Sequence, residues 1–409
     1  MWMCSFDTDS GSPSNGYLQE AACGMLACWD RPADLKKVGN AAKALCPAQN
    51  DWLSRFCETG VLIGRMAYDL DMPNDVRTRI NKEDFVREKA STFKDDVLRR
   101  AVREVLDSEM KKKPRWESPE TAWTKRWAYT KSGAHSRRIE MIAYGQALTE
   151  GIDQPNRRMF AEAAVDNAIM RGEPSAHAGT SKKLEHEKTR AIYGVDTVNY
   201  YTFHHALAPI ERVWRNESVL LSPGDKDQIA MYSDAARWGE WRMCIDYDDF
   251  NSAHTNRAQQ IVFEEALRDA PADLREWCCR SFDNTYVHWK DSKGMRADKV
   301  VGTLLSGHRA TTFINSVLNA AYLRIVLPNY KRFRIMHTGD DVYAATEDPA
   351  EVDTALEALF ASKLRTNPSK QSVGNIGGEW LRVSFNPRGG TGYLARAIAS
   401  IVSGNWVSE

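Results

Sequence analysis

Two adjacent carboxylates, Asp340 and Asp341, follow Gly339 between two short apolar runs, Arg332 to Met336 and Val342 to Ala345. The runs read as the strands of a hairpin, with Gly339 supplying the positive φ of a tight connection. Carboxylates crowded at a hairpin tip repel one another, and hard oxygen ligands of this kind suit Mg²⁺ or Mn²⁺. A solvated Asp-Asp turn is the plainer reading of the same residues. A second acidic cluster, Asp246, Asp248 and Asp249, closes the apolar run Met243 to Ile245. Carboxylates at the end of a strand project into a site while the strand stays rigid. Equally, three acids in four residues suit a loop capping a helix from Thr255 to Leu267.

Cations lie further up the chain. Thr180 to Gly194 carries Lys183, Glu185, Lys188 and Arg190 at alternating or near-alternating spacing, as on an extended ribbon. Several cations on one face can hold a triphosphate, with Arg190 offering a fork, while Glu185 pairs with a neighbour and keeps register. A charged surface strand is the competing reading. Lys111 to Arg138 holds nine Lys or Arg against two acids, with Trp116, Trp123, Trp127 and Tyr129 interleaved. Phosphates on cations and bases on rings would suit a nucleic-acid strand, and a solvated connector fits as well.

The elements that must position these groups are legible to different degrees. Ser306-Gly307 opens a helix in which Phe313, Val317 and Ala321, beside Ile314, Leu318 and Ile325, make the apolar stripe. Thr311, Asn315 and Asn319 recur every four residues on another face, as a hydrogen-bonding wall or a satisfied buried ladder. Ser91 to Met110 is helical in pattern, with Thr92 and Asp95 placed as an N-cap. Asp348-Pro349-Ala350-Glu351 starts a helix that runs to about Leu364, with Val352, Ala355, Leu356, Leu359 and Phe360 inward. Glu379 to Phe385 alternates as a strand, Gly389 to Gly392 reads as a flexible turn, and Tyr393 to Val402 as a last helix. Leu18 to Trp29 and Asp51 to Leu70 are weaker helix candidates with no chemistry attached.

The 409 residues allow two or three domain-sized units. Lys plus Arg and Asp plus Glu are both 55, so any nucleic-acid surface must be a local channel. No apolar window is long enough for a membrane span, and no signal peptide is read at the start. The eight cysteines are scattered without a CxxC pair, which argues against zinc and disulfide frameworks and for reduced thiols in a cytosolic setting.

An acidic strand end, a Ser-Gly loop into a polar-faced helix, then a Gly-Asp-Asp hairpin: this order resembles the palm of viral RNA-dependent RNA polymerases. Asp246 matches the first metal carboxylate of that family, and Asn251 stands where many relatives carry a second Asp. Ser306, Gly307, Thr311 and Asn315 match the second palm motif, Gly339-Asp340-Asp341 the third, and Lys370 the lysine of the fourth. Lys183 and Glu185 with Lys188 and Arg190 look like the basic fingers motif. The phrasing is most similar to the double-stranded RNA totiviruses, the victorivirus group especially, over residues 115–409.

The resemblance implies an α/β (α+β) right-hand polymerase whose antiparallel palm sheet is flanked by helices, with a truncated or minimal thumb. It implies a helical extension over 1–110, fingers over 111–240, palm over 241–378 with a fingers insertion near 268–300, and the start of a thumb over 379–409. Two Mg²⁺ or Mn²⁺ would be held by Asp246 and Asp340 with Asp341 nearby. Arg190 and Lys188, with Lys183, would neutralise the triphosphate, Lys370 would donate a proton to pyrophosphate, and Asn315, Ser306 and Asn251 would surround the ribose 2′-hydroxyl. The implied partners are RNA template and product, ribonucleoside triphosphates and a viral capsid protein, in the virion interior or host cytoplasm. A reverse transcriptase and a non-catalytic RNA-binding fragment are the alternatives.

Overall fold

The computed structural model describes residues 31–45, 56–65, 70–82, 85, 90–133, 156–186, 188–222, 227–367 and 371–404. The expected helix over Leu18 to Trp29 lies outside them, as do parts of the Asp51–Leu70 and Lys111–Arg138 stretches. In chain order the helices and strands are α1 (Pro32–Leu45), α2 (Met72–Ile80), α3 (Asp95–Glu109), α4 (Pro119–Thr124), α5 (Arg157–Ala163), β1 (Ala176–Glu185), β2 (Lys188–Val195), α6 (Thr197–Val213) and α7 (Gln228–Ala235). There follow β3 (Trp241–Ile245), α8 (Asn256–Ala266), α9 (Ala272–Asp283), β4 (Thr285–Asp291), β5 (Gly294–Lys299), α10 (Thr311–Val326), β6 (Arg334–Thr338), β7 (Asp341–Thr346) and α11 (Pro349–Ala361). β8 (Ser372–Gly374), β9 (Gly378–Trp380), β10 (Val383–Asn386), β11 (Gly389–Gly392) and α12 (Leu394–Ser403) complete it.

A central antiparallel sheet, ordered β6-β7-β3-β8, carries the acidic residues. One face lies on the main core: Met243 and Ile245 of β3 and Val342 and Ala344 of β7 join Phe313, Val317 and Leu318 of α10 and Val352, Ala355 and Leu359 of α11. Alternate strand residues meet the 3.6-period stripes of the helices on this face, while Tyr343 and Ala345 on the opposite face are buried in a second core with Trp380 and Phe385. α3 packs on α8 and α10 through Leu98, Val102, Val105 and Leu106. Arg99 and Arg103 add ion pairs to the nearly buried Glu265 of α8. A strap at 217–220 runs beside β6, held because the fully buried Glu109 carboxylate accepts the amides of Glu217, Ser218 and Val219. The strap in turn exchanges backbone hydrogen bonds with His337.

A second sheet, β2-β1-β4-β5, holds the cationic ribbon, with β1 and β4 parallel. A third core joins the two ends of the chain: Leu35 and Ala42 of α1, Phe56, Cys57 and Val61, and Tyr393, Ala395 and Ala399 at α12. Among the described residues no helix is long and apolar enough to cross a membrane. Among the described residues Cys244, Cys278 and Cys279 form no disulfide.

Several expectations need correction. α3 starts at Asp95 with Lys94 as N-cap and no side-chain cap, so Thr92 does not serve. α11 has the expected Asp348 cap but ends at Ala361, and Phe360 is exposed rather than inward. Glu379 to Phe385 is not one strand. It is two, β9 and β10, joined by Leu381 and Arg382 at φ 49° and 65°. Such a two-residue turn normally calls for Asn or Gly, so the sequence carries no signal for it. The Glu379 carboxylate, accepting the Arg382 amide at 2.9 Å, holds it instead. Gly389 to Gly392, read as a turn, is strand β11.

Candidate active site

The β6–β7 ladder closes with Thr338 opposite Asp341, leaving Gly339 and Asp340 as the turn. Gly339 takes φ +57°, as its place between two strands required, while space for a Cβ is open there. Helix α10 grips this residue at both ends of its backbone. The Gly339 amide donates to Ser316 Oγ at 2.8 Å, and Asn319 Nδ2 donates to the Gly339 carbonyl at 3.0 Å. Asn319 also accepts the Tyr247 hydroxyl at 3.1 Å. The turn is therefore tied to the residue that follows Asp246.

Asp246 stands one residue beyond the last β3–β7 pair, Ile245 opposite Val342, so it and Asp341 are the next residues on neighbouring strands. Its backbone is fixed by the Gln371 side chain, which accepts the Asp246 amide proton at 3.3 Å and donates to its carbonyl at 2.8 Å. Asp248 turns to another loop: its amide donates to the Arg365 carbonyl, and its carboxylate accepts from Asn367 Nδ2 at 3.4 Å. Asp249 sits at φ 47° just before a 3₁₀ turn at Phe250–Ala253. The helix after them is capped by Thr255, not by the acids.

Asp340 and Asp341 reach solvent at the surface of a recess, yet enough protein surrounds them to penalise their charge. Burial and then Asp246 raise the Asp340 carboxyl, against which its own backbone amide, Arg190 and Lys188 work. Burial, then Asp340, Glu379 and Asp246, push Asp341 up to about 7, with Lys43 opposing. These mutual influences bring together Asp246, Asp340 and Asp341, and they bring the ribbon cations within range. Lys183 pairs across the ladder with Arg190, and Glu185 with Lys188. Glu185 binds Lys183 Nζ and Arg190 Nε, each at 2.9 Å, and these partners outweigh burial to hold its carboxyl low. The sequence thus gave the Glu185 pairing and the shared cationic face correctly.

The polar face of α10 is buried and satisfied. Asn315 donates to Asn251 Oδ1 at 2.6 Å and contacts His254 Nε2 at 2.9 Å, while His254 Nδ1 meets the Tyr322 hydroxyl at 3.2 Å. Burial pushes the His254 imidazole down to about 4, so it is neutral at physiological pH. Thr311 spends its hydroxyl on the Leu305 and His308 carbonyls. Ser306 Oγ accepts the Tyr193 amide at 3.2 Å, and the Gly307 amide donates to the Tyr193 carbonyl at 3.0 Å. A Cβ on Gly307 would meet that carbonyl oxygen at 2.3 Å, so only glycine lets this loop dock on β2. Ser306 and Gly307 thereby couple the cationic ribbon to α10.

Lys370 lies outside the described residues. In the basic stretch, Trp123 is buried and Trp116 donates its indole N–H to the Ala206 carbonyl, which favours packing over base stacking for these two rings. Trp127 is half exposed, with Arg126 lying over it at 4.4 Å. Sequence reading missed Ser316, Gln371, Glu379 and Lys43. Ser316 sits one residue from a position it did single out; Lys43 has no local signal at all. A small cavity of about 30 Å³ is lined by Lys43, Cys244, Asp246, Asp341, Ser372 and Glu379, among others. A larger one of about 440 Å³ lies by Arg324, Asn329 and Glu351 and includes none of the candidate residues. Among the described residues no three His, Cys, Asp or Glu are gathered closely enough to form a metal-holding group. The donor set nonetheless fits a hard divalent cation: all-oxygen, crowded and mutually repelling.

A family model described as viral RNA-directed RNA polymerase matches residues 9–406. The probable RNA-directed RNA polymerase of Helminthosporium victoriae virus-190S is 36% identical over 404 residues, covering 96% of this chain and 47% of that protein. That of Leishmania RNA virus 1 - 1 (isolate Leishmania guyanensis) is 35% identical over 364 residues, covering 87% and 40%. That of Saccharomyces cerevisiae virus L-A is 27% identical over 391 residues, covering 90% and 25%. The chain thus spans less than half the length of these relatives. The crystal structure of the RNA-dependent RNA polymerase of a human picorbirnavirus superposes with a TM-score of 0.63 at 12% identity, covering 98% of this chain and 76% of that one, which establishes a shared fold.

Proposed function

The chain belongs to the viral RNA-directed RNA polymerase family, and we propose that it performs template-directed RNA synthesis by nucleotidyl transfer in a double-stranded RNA virus. One observation carries the reading: Asp246 ends a strand beside the Asp340–Asp341 turn, and the charges of Arg190 and Lys188 reach Asp340.

Each group then has a physical role. Asp246 and Asp340, with Asp341, would hold Mg²⁺ or Mn²⁺. Two such ions, when bound, supply activation of the RNA 3′-hydroxyl and charge neutralisation on the phosphates. Arg190 and Lys188, with Lys183 anchored through Glu185, bind the triphosphate and stabilise the negative pyrophosphate as it departs. Ser306, Gly307 and Thr311 hold the loop that sets the distance from ribbon to α10. Asn315 holds Asn251 through its Oδ1, and Asn251 so oriented meets the ribose 2′-hydroxyl, a contact that a deoxynucleotide forgoes. Lys370 donates the proton that leaves with pyrophosphate.

The test is Mg²⁺-dependent primer extension on an RNA template. Extension with ribonucleotides, lost in Asp340→Asn, supports the reading. RNA binding with no extension, and no response to Asp340→Asn, supports a non-catalytic RNA-binding fragment instead. Preferential use of deoxynucleotides would place the chain with reverse transcriptases.

A further inference from the structure

Lys43 lies on α1, in a stretch whose sequence offers no motif. Its Nζ is 2.9 Å from Glu379 Oε2, and Glu379 is only 8% exposed. The other Glu379 oxygen accepts the Arg382 amide, and the Cys244 thiol donates to its backbone carbonyl at 2.8 Å. That carboxylate is thus pinned on both sides, in a hairpin whose two turn residues take strained positive φ. The Lys43–Glu379 pair lines the same small cavity as Asp246, Asp341 and Ser372. The Ser372 hydroxyl is buried there without a hydrogen-bond partner. Lys43 opposes the crowding of acids at Asp341, and against its burial Glu379, then Glu58 and Asp341, favour its ammonium.

Helix α1 does not reach this place alone. Its apolar side shares a core with Val61, Tyr393, Ala395 and Ala399, while Gly39 lets the backbone at Glu58 and Thr59 approach so closely that a Cβ would lie 3.3 Å from both amide nitrogens. Glu58 binds Arg396 of α12 at 2.5 Å. Arg65 ties Ser403 and the Leu184 carbonyl together, and His186 meets Ser403 Oγ at 3.0 Å, so the paired ends of the chain are also fastened to the tip of the cationic ribbon.

We propose that Lys43 is a positioning residue of the acidic site: a fixed ammonium that lowers the attraction of the Asp341–Glu379 side for divalent cations and so directs them to the Asp246–Asp340 side. Without it, the Asp341 and Glu379 carboxylates and the Ser372 hydroxyl, which line one small cavity, would compete with the Asp246–Asp340 side for the same hard cations. A lysine suits the task better than arginine because its charge is compact. The balance depends on α1 being docked, so the joined chain ends and the carboxylates become one electrostatic unit. What those cations do rests on the polymerase reading; where Lys43 stands does not.

The experiment is a Mn²⁺ titration of the full chain by calorimetry, with no substrate present. Lys43→Met is expected to tighten Mn²⁺ binding roughly threefold to tenfold, because a positive charge beside the ligands is gone. Glu379→Gln leaves Lys43 unopposed and weakens binding by a similar factor. The double variant returns to within about twofold of the parent, because the two charges removed are opposite and their effects cancel, and Lys43→Arg stays near it. Loss of packing alone would move both single variants in one direction. Both moving together, or neither moving, overturns the proposal. If Lys43→Met is too unstable to titrate, Glu379→Gln decides: weaker binding supports it, unchanged binding refutes it. A parent chain that shows these shifts but makes no RNA refutes only the polymerase reading. One that extends primers while its variants titrate alike refutes only the role of Lys43, and one that binds no Mn²⁺ refutes both.

Discussion

Replacing Asn319 by alanine removes the amide that ties the acidic turn to α10. The side chain is fully buried, accepts the Tyr247 hydroxyl at 3.1 Å and donates to the Gly339 carbonyl at 3.0 Å. The buried Tyr247 hydroxyl would be stranded at a cost of about 1–3 kcal/mol. The Gly339 carbonyl is half-buried, so water can replace the lost donor and the loss is about 0.5–1.5 kcal/mol. Together the change is expected to destabilise the chain by about 1.5–4.5 kcal/mol. Tyr247→Phe removes only the hydroxyl donor, so it should cost about 1 kcal/mol and leave Gly339 held. Urea unfolding followed by tryptophan fluorescence gives the stability difference, and primer extension gives the functional one. A turn free to shift by about 1 Å should slow nucleotide addition on the order of a hundredfold in Asn319→Ala, with little change in Tyr247→Phe. Ser316→Ala frees the other end of the same residue, so its effect should not simply add to that of Asn319→Ala. Equal activity in Asn319→Ala and the parent chain, or equal damage from Tyr247→Phe, would refute the idea that α10 holds the catalytic turn.

Other outcomes follow from the same geometry. Asn315→Ala strips partners from Asn251 and His254 and is expected to lower the preference for ribonucleotides at least about tenfold; competition between ATP and dATP measures it, and an unchanged ratio counts against the assignment. Gly307→Ala drives a Cβ into the Tyr193 carbonyl, should cost about 1–3 kcal/mol, and should raise the nucleotide concentration needed for half-maximal rate by loosening ribbon from α10. Asp341, raised from 3.8 to about 7, keeps a proton in the folded chain that the unfolded chain has already lost. In chelator, thermal stability should therefore fall as pH rises from about 4 to 7, since the folded state binds more protons over that window. Asp341→Asn should flatten the slope and Mg²⁺ should offset it in the parent; a slope unchanged in Asp341→Asn would show that another group is responsible.

The ordered motifs, the hairpin around Gly339, the alternating cations and the α10 stripe were all written in local spacing. Each depends on periods of two or 3.6 and on the φ that glycine permits, so one stretch of chain suffices to reveal it. The choice of Asp246 over Asp248 was harder, because both share strand parity. The resemblance chose Asp246; the β3–β7 register sets it beside Asp341, and the Arg365–Asn367 loop draws Asp248 aside. The Leu381–Arg382 turn was illegible because the residue that holds it, Glu379, acts through its side chain rather than through turn chemistry. The polar wall of α10 was visible as a pattern, but whether it faces substrate or core was fixed by Tyr247, Asn251 and His254, each at least sixty residues away.

What the sequence by itself determined is the identity and order of the chemical groups: acids, cations, and small polar residues at spacings that only a few sites use. What only the tertiary structure decided is who stands next to whom across hundreds of residues. Lys43 meets Glu379 because α1 and α12 bury their apolar faces in one core around the turn at Thr59–Ile63, and the non-directional burial that joins them leaves no mark in either segment beyond ordinary amphipathic character.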